Sequence, residues 1–211
     1  MAVERVHLIR HGQTAWNAEG RWQGFEATSL NQEGCAQARA LAAAWKRPLS
    51  AIYSSDLPRA FETAAALGEA LGMMPVIDER LRETHLGIFQ GKTSAEIRLS
   101  HPVEFETMQS LEMDFCVPSG ESKRQTQARC YHVFCEILDK ESGPEVAIVS
   151  HGGTLKYLLY KLFGQTDELV RSYLPNTSVT TIERRGDDWH LVELAATPHL
   201  VTLAPADGTT L

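Results

Sequence analysis

The chain has 211 residues, 43% hydrophobic and 22% charged, with a formal net charge of −7. That balance fits a globular protein with a sizeable core, and it argues against nonspecific binding of nucleic acid or anionic membrane. The four cysteines, Cys35, Cys116, Cys130 and Cys135, form no CxxC pair, so neither a zinc site nor a disulfide framework is expected.

The N-terminal Met1-Ala-Val-Glu-Arg5 lacks an apolar core, so no signal peptide is expected, and no apolar run is long enough for a membrane span. A cytoplasmic location follows as the expectation.

Val3 to Ile9 predicts a strand, and Ala15 to Leu30, polar and Gly-containing, a loop around its end. Asn31 to Lys46 predicts a helix with Asn31 as cap. Ser50 to Ser55 predicts a second strand, Pro58 to Leu71 a second helix with Pro at its start and Gly72 past its end. Pro75 to Asp78 predicts a third, extended segment.

Residues 84–120 are poor in strands and rich in Gly and Pro, and predict an excursion covering the site. One helix is expected there, from Thr93, where Thr93-Ser-Ala-Glu96 fits a capping box. Glu121 to Lys140 predicts a long helix, Glu145 to Ser150 a buried strand and Gly153 to Phe163 another helix. Ser178 to Glu183 and Trp189 to Leu194 predict a hairpin, and the tail after it is expected to be loosely held. The alternation predicts an α/β fold: a three-layer α/β/α sandwich around a mainly parallel sheet, one domain over residues 1–211, with the inserted cap over the C-terminal strand edge.

The chemistry gathers at strand ends, where open α/β sheets bind ligands. Val6-His-Leu-Ile-Arg-His-Gly12 and Val146-Ala-Ile-Val-Ser-His-Gly152 share one form, an aliphatic strand closing in His-Gly. Parallel neighbours of this kind would set His11 and His151 side by side. Arg59 falls in the first turn of a helix, where a cation hints at an anionic partner. Glu83 follows the third extended segment and is a candidate general acid. Arg10, His11, Arg59, Glu83 and His151 thus supply two guanidiniums, two imidazoles and a carboxylate. No HxH, HExxH, DxD or GxSxG motif accompanies them. No metal and no cofactor is therefore expected. A cationic cup around an imidazole nucleophile suits a phosphoryl group.

Seven stretches in this order resemble the histidine phosphatase superfamily, also called phosphoglycerate-mutase-like. They are Leu8-Ile-Arg-His-Gly-Gln-Thr-Ala-Trp-Asn17, Gly20-Arg-Trp-Gln-Gly24, Ser54-Ser-Asp-Leu-Pro-Arg-Ala60, Leu81-Arg-Glu83, Gly87-Ile-Phe-Gln-Gly91, Gly120-Glu-Ser122 and Val149-Ser-His-Gly-Gly153. The resemblance implies metal-independent hydrolysis of a small phosphomonoester through a phosphohistidine on His11. Arg10, Arg59 and His151 would hold the phosphate, with Asn17, Gln23 and the Gly152 N–H adding hydrogen bonds. Glu83 would protonate the leaving oxygen and then activate water.

The alternatives are a cofactor-dependent phosphoglycerate mutase and a non-catalytic phospholigand-binding protein. Gln23 and Thr14, and the short insertion after Glu83, resemble the phosphatase branch. The expected partner is a small phosphorylated metabolite: a phosphorylated acid, a sugar phosphate or α-ribazole phosphate. Monomer and homodimer both stay open. His11 must be neutral, a state favoured by Arg10 and Arg59, with its other ring nitrogen donating to a backbone carbonyl. Burial would raise the Glu83 pKa and nearby cations would lower it. His85, Phe89, His101, Phe105, Met108 and Phe115 of the cap are candidates to touch substrate, and Lys92, Arg98, Lys123 or Arg124 to meet a carboxylate.

Overall fold

The computed structural model describes residues 2–203. Its centre is a six-stranded sheet of β1 (Arg5–Arg10), β2 (Ala51–Ser54), β3 (Val76–Ile77), β4 (Glu145–Ser150), β5 (Val179–Arg185) and β6 (Asp188–Ala196). The strand order is β3-β2-β4-β1-β5-β6. The first four run parallel to one another, and the β5–β6 hairpin continues the sheet antiparallel from β1.

Alternation along β1 and β4 splits their side chains between two layers. Val6, Leu8, Val146 and Ile148 pack with helices α6 (Lys123–Lys140) and α7 (Gly152–Phe163), through Val133, Phe134, Leu155 and Leu158. Ile9, Ala147 and Val149 face α2 (Gln32–Ala44) and α3 (Pro58–Leu71), through Leu41, Ala60, Ala64 and Leu67. Each of these large aliphatic side chains contributes roughly 1.5–3 kcal/mol on burial. This is the expected three-layer sandwich. His7, inside the first strand, is held by Glu145 and Thr181 at 2.9 and 3.2 Å and belongs to the scaffold.

Local signals set most boundaries. Asn31 accepts from the Gly34 N–H at 2.8 Å and caps α2, a contribution of about 1 kcal/mol. Pro58 opens α3, and Gly72, at φ +67°, closes it in the left-handed conformation. The Thr93–Glu96 capping box starts α4 (Ser94–Ser100).

Three expectations need correction, and one further helix was not anticipated. The segment 15–30 is not all loop: Thr14 and Asn17 form a reciprocal capping box around a one-turn helix, α1 (Ala15–Ala18). The cap holds two helices, because Pro102, a good first-turn residue, starts α5 (Pro102–Gln109) directly after α4. A further short helix, α8 (Asp167–Arg171), follows α7 and is capped by Thr166. Finally, the tail is not loose as far as it is described. Pro198–Leu203 forms a 3-10 turn, and buried His199 meets the Thr177 hydroxyl at 2.9 Å. The rest of the tail lies outside the described residues.

Candidate active site

Register places the two His-Gly strand ends together. Arg10 pairs with Ser150 across the β1–β4 ladder, and the His11 N–H donates to the Ser150 carbonyl at 3.0 Å. The His11 and His151 rings follow with centroids 5.1 Å apart. Gly12 serves an approach of backbone to backbone: a Cβ there would lie 2.7 Å from the Gly34 carbonyl oxygen of α2. Thr177, at φ +57°, closes the site from the other side, its N–H reaching the carbonyls of Arg10 and His11.

The two imidazoles are tied differently. His11 Nδ1 lies 2.7 Å from the Gly12 carbonyl. A carbonyl only accepts, so Nδ1 carries the proton and Nε2 keeps its lone pair. Burial and then the charges of Arg59 and Arg10 hold His11 well below the ordinary histidine range, so it is neutral at pH 7. His151 instead uses Nε2, 2.9 Å from the Ser55 hydroxyl. Ser55 Oγ also accepts from the Leu57 N–H. Burial, Arg59 and His11 keep His151 neutral; in the tautomer where Ser55 donates to Nε2, the ring proton sits on Nδ1.

Both guanidiniums are anchored to protein. Arg59, 1% exposed, donates to the carbonyls of Gly24 and Glu26 at 2.8 and 2.7 Å and to Thr28. Burial lowers its pKa to about 10, leaving it charged. Arg10 donates through Nη1 to the Tyr173 hydroxyl and the Leu174 carbonyl. In each, the buried Nε has no partner. Among the described residues, Arg10 Nε, Arg59 Nε and His151 Nδ1 are the buried side-chain nitrogens and oxygens with no hydrogen-bond partner. Buried polar groups are normally satisfied, and each orphan costs about 1–3 kcal/mol.

Glu83 is fixed at the start of α7. Its Oε1 accepts from the Thr84 and Thr154 N–H groups and the Thr154 hydroxyl, its Oε2 from the Gly153 N–H at 3.0 Å. A Cβ on Gly153 would lie 2.6 Å from Glu83 Oε1, so any larger residue would push the carboxylate aside. From behind, Arg129 holds the carbonyls of Arg80, Arg82 and Glu83.

Six of the eight expected site residues line one cleft: Arg10, His11, Asn17, Gln23, Arg59 and Glu83. His151 and Gly152 are not in its lining, though the His151 ring lies beside His11. A Cβ on Gly152 would lie 3.4 Å from Arg10 Nε, so the first turn of α7 abuts that guanidinium. Asn17 Oδ1 is taken by Thr14 and Asn176, and Gln23 Oε1 by Thr14 and Thr28. Each amide keeps its N–H₂ end for a ligand.

The cap expectations fare less well. Phe89 and Phe105 are buried in the cap's own core with Ile97 and Val117, and only Met108 of the six cap candidates lines the cleft. His85 turns to Phe25, and His101 to Phe89. Lys92 bonds the Ile88 carbonyl, Arg98 lies over Phe105, Arg124 pairs with Asp114 and Lys123 lies outside the cleft.

Sequence reasoning missed Ser55, Thr154 and Tyr157. Ser55 sat in a quoted motif, two positions from Leu57, whose N–H it accepts. Tyr157 was legible only as a helix residue. Among the described residues no three His, Cys, Asp or Glu side chains cluster as metal ligands, and no helix is long and apolar enough to cross a membrane.

The comparisons with known proteins agree with this geometry. Residues 6–197 match the family model of the histidine phosphatase superfamily (branch 1). A metal-independent phosphoserine phosphatase of Arabidopsis thaliana is 34% identical over 94% of this chain and 84% of its own length. A phosphoglycerate mutase-like protein 4 from the same plant is 35% identical, covering 92% and 86%. The solved mycobacterial glucosyl-3-phosphoglycerate phosphatase with VO3 superimposes with a TM-score of 0.85 at 33% identity, over 92% of this chain and all of the other. The chain belongs to the histidine phosphatase superfamily, branch 1, and is a phosphoric monoester hydrolase.

Proposed function

We propose that His11 is the nucleophile and that the reaction is metal-independent hydrolysis of a small phosphomonoester through a phosphohistidine. The observation that carries this reading is the set of three orphaned donors, Arg10 Nε, Arg59 Nε and His151 Nδ1, beside a neutral imidazole with a free Nε2 lone pair. Three buried donors without acceptors are the complement of a tetrahedral anion. The interaction they lack is supplied when phosphate enters.

In the first step His11 Nε2 attacks phosphorus in line, the ester P–O bond breaks, and its electrons leave on the alcohol oxygen. Glu83 gives that oxygen a proton, carried on Oε2, the less heavily bonded of its two oxygens. Developing charge on the phosphoryl oxygens is met by Arg10, Arg59 and His151, and the free amide ends of Asn17 and Gln23 join them, with the Gly152 N–H. In the second step water attacks the phosphohistidine while Glu83 takes its proton. The N–P bond breaks, and His11 and inorganic phosphate are released.

The substrate class is a small phosphorylated metabolite, in keeping with the phosphoserine and glucosyl-3-phosphoglycerate phosphatases among the similar proteins. Four unpaired cysteines suit a reducing compartment, and we infer the cytoplasm. The test is phosphate release from p-nitrophenyl phosphate in excess EDTA. Turnover that survives chelation and disappears in His11→Ala is expected. Loss of wild-type turnover on chelation, or full turnover in His11→Ala, overturns the proposal. Product analysis with 3-phosphoglycerate, with and without a bisphosphate primer, separates hydrolysis from mutase transfer.

A further inference from the structure

Trp22, Met108 and Tyr157 line the His11 cleft on one side and a second cavity of about 310 Å³ on the other. The second chamber therefore adjoins the His11 cleft across these three side chains. Its walls come from α5, α6, α7 and α8 and the loop after α5.

Two lysines line this chamber. Lys123, in the first turn of α6 and only 6% exposed, donates to the Ser110 carbonyl. Lys156, on the second turn of α7, donates to the carbonyls of Val170 and Ser172 at 2.8 and 2.9 Å. Each ammonium has three N–H donors, so Lys123 keeps two in hand and Lys156 one. Neither lysine has a salt-bridge partner among the described residues. Among the described residues no Asp or Glu lines the chamber, and the acid that acts on Lys123, Glu112, is an exposed residue outside its lining. Burial pushes both ammoniums below the ordinary lysine range, the sign of positive charge without its counter-ion. In a chain of net charge −7 this is a local concentration of the opposite sign. Between the lysines and the phosphate cleft the walls are aromatic and thioether: Trp22, Met108, Tyr157 and Tyr160.

We propose that this chamber is the leaving-group subsite, and that it selects phosphomonoesters whose alcohol carries a carboxylate, seated between Lys123 and Lys156. The assignment rests on the phosphatase reading of the His11 cleft and adds to it the chemistry of the alcohol. An organic stem lies along Trp22, Met108 and Tyr157, and the carboxylate accepts the three spare N–H donors. A second phosphate, with more oxygens and up to two charges, would outnumber those donors, and no arginine fork is present to grip it.

The test uses ω-carboxyalkyl phosphates of increasing chain length, each paired with its primary-amide analogue and with the corresponding bisphosphate. The readout is the kcat/KM ratio of acid to amide on one protein sample, which is independent of how much of that sample is folded. The expected wild-type ratio at the best length is about tenfold or more, the scale of charge-assisted hydrogen bonds. Lys123→Gln and Lys156→Gln each lower it, and the double variant brings it to parity. A wild-type ratio at parity for every length, a ratio unchanged in the double variant, or preference for the bisphosphate overturns the subsite while leaving the phosphatase reading intact. Failure of the wild type to hydrolyse any member of the series instead overturns the phosphatase reading itself.

Discussion

The ends of β1 and β4 carry the same sequence form, yet their histidines are wired in opposite senses. At the end of β1, Nδ1 of His11 donates to its neighbour's carbonyl and Nε2 is left with a lone pair. At the end of β4, Nε2 of His151 meets the Ser55 hydroxyl and Nδ1 is left without a partner. One hydrogen bond per ring separates the proposed nucleophile from the proposed donor. A repeated motif therefore does not imply a repeated role; the partner of the second ring nitrogen assigns it.

The largest effect that would break or sustain this contrast is unequal loss at the two histidines. His11→Ala should abolish turnover by at least about 10³-fold, since it removes the attacking atom. His151→Ala should cost about 10²–10³-fold, the scale of one preorganised charge-stabilising donor. Equal residual activities, measured on p-nitrophenyl phosphate, would remove the distinction.

Next in size is the acid. Glu83→Gln should lower kcat by roughly 10²–10⁴-fold for a poor leaving group and much less for p-nitrophenolate, which needs little protonation. Gly153→Ala places a Cβ against Glu83 Oε1 and should imitate that substitution more weakly, by about 10²-fold at most. A Gly153→Ala enzyme indistinguishable from wild type would show that the position of Glu83 is unimportant.

A smaller effect sharpens the comparison most. Ser55→Ala removes the donor that places the His151 proton on Nδ1, so inorganic phosphate should bind about tenfold more weakly. The Leu57 N–H loses its acceptor at the same time, at a cost of about 1 kcal/mol in stability. Phosphate affinity unchanged in a calorimetric titration would mean that Ser55 does not set the tautomer.

The smallest effect is on pH dependence. Both rings have pKa values pushed well below 6.5, first by burial and then by the nearby arginines. As pH falls below about 6.5, the unfolded histidines take up protons and the folded ones do not, so stability falls. The loss ends once pH passes the folded values. The melting temperature should therefore drop between pH 7 and pH 5, with a shallower slope in His151→Gln. Over the same window the acid limb of kcat/KM should lie below pH 6.5.

The scaffold was legible because it rests on local signals. Aliphatic runs ending in His-Gly gave β1 and β4, Asn31 and Pro58 gave helix starts, and parallel pairing followed from alternation. The site was legible because its residues sit at strand ends, where side chains have little freedom in where they project. The cap was legible only as an excursion. Phe89 and Phe105 could be read as substrate contacts or as packing of the cap, and the structure buries both in a small core with Ile97. Ser55, Tyr157 and Lys156 could not be singled out. Their roles depend on which long-range neighbour completes a hydrogen bond or a cavity wall, and no periodicity encodes that.

The most direct measurement is the location of the phosphoryl group in the trapped intermediate. Rapid alkaline quenching during turnover, followed by peptide mass spectrometry and phosphorus NMR, should find one acid-labile phosphoryl group on Nε2 of His11. It should be absent from His11→Ala and present in His151→Ala. A phosphoryl group on His151, or steady turnover by His11→Ala with no labelled histidine, would contradict the account.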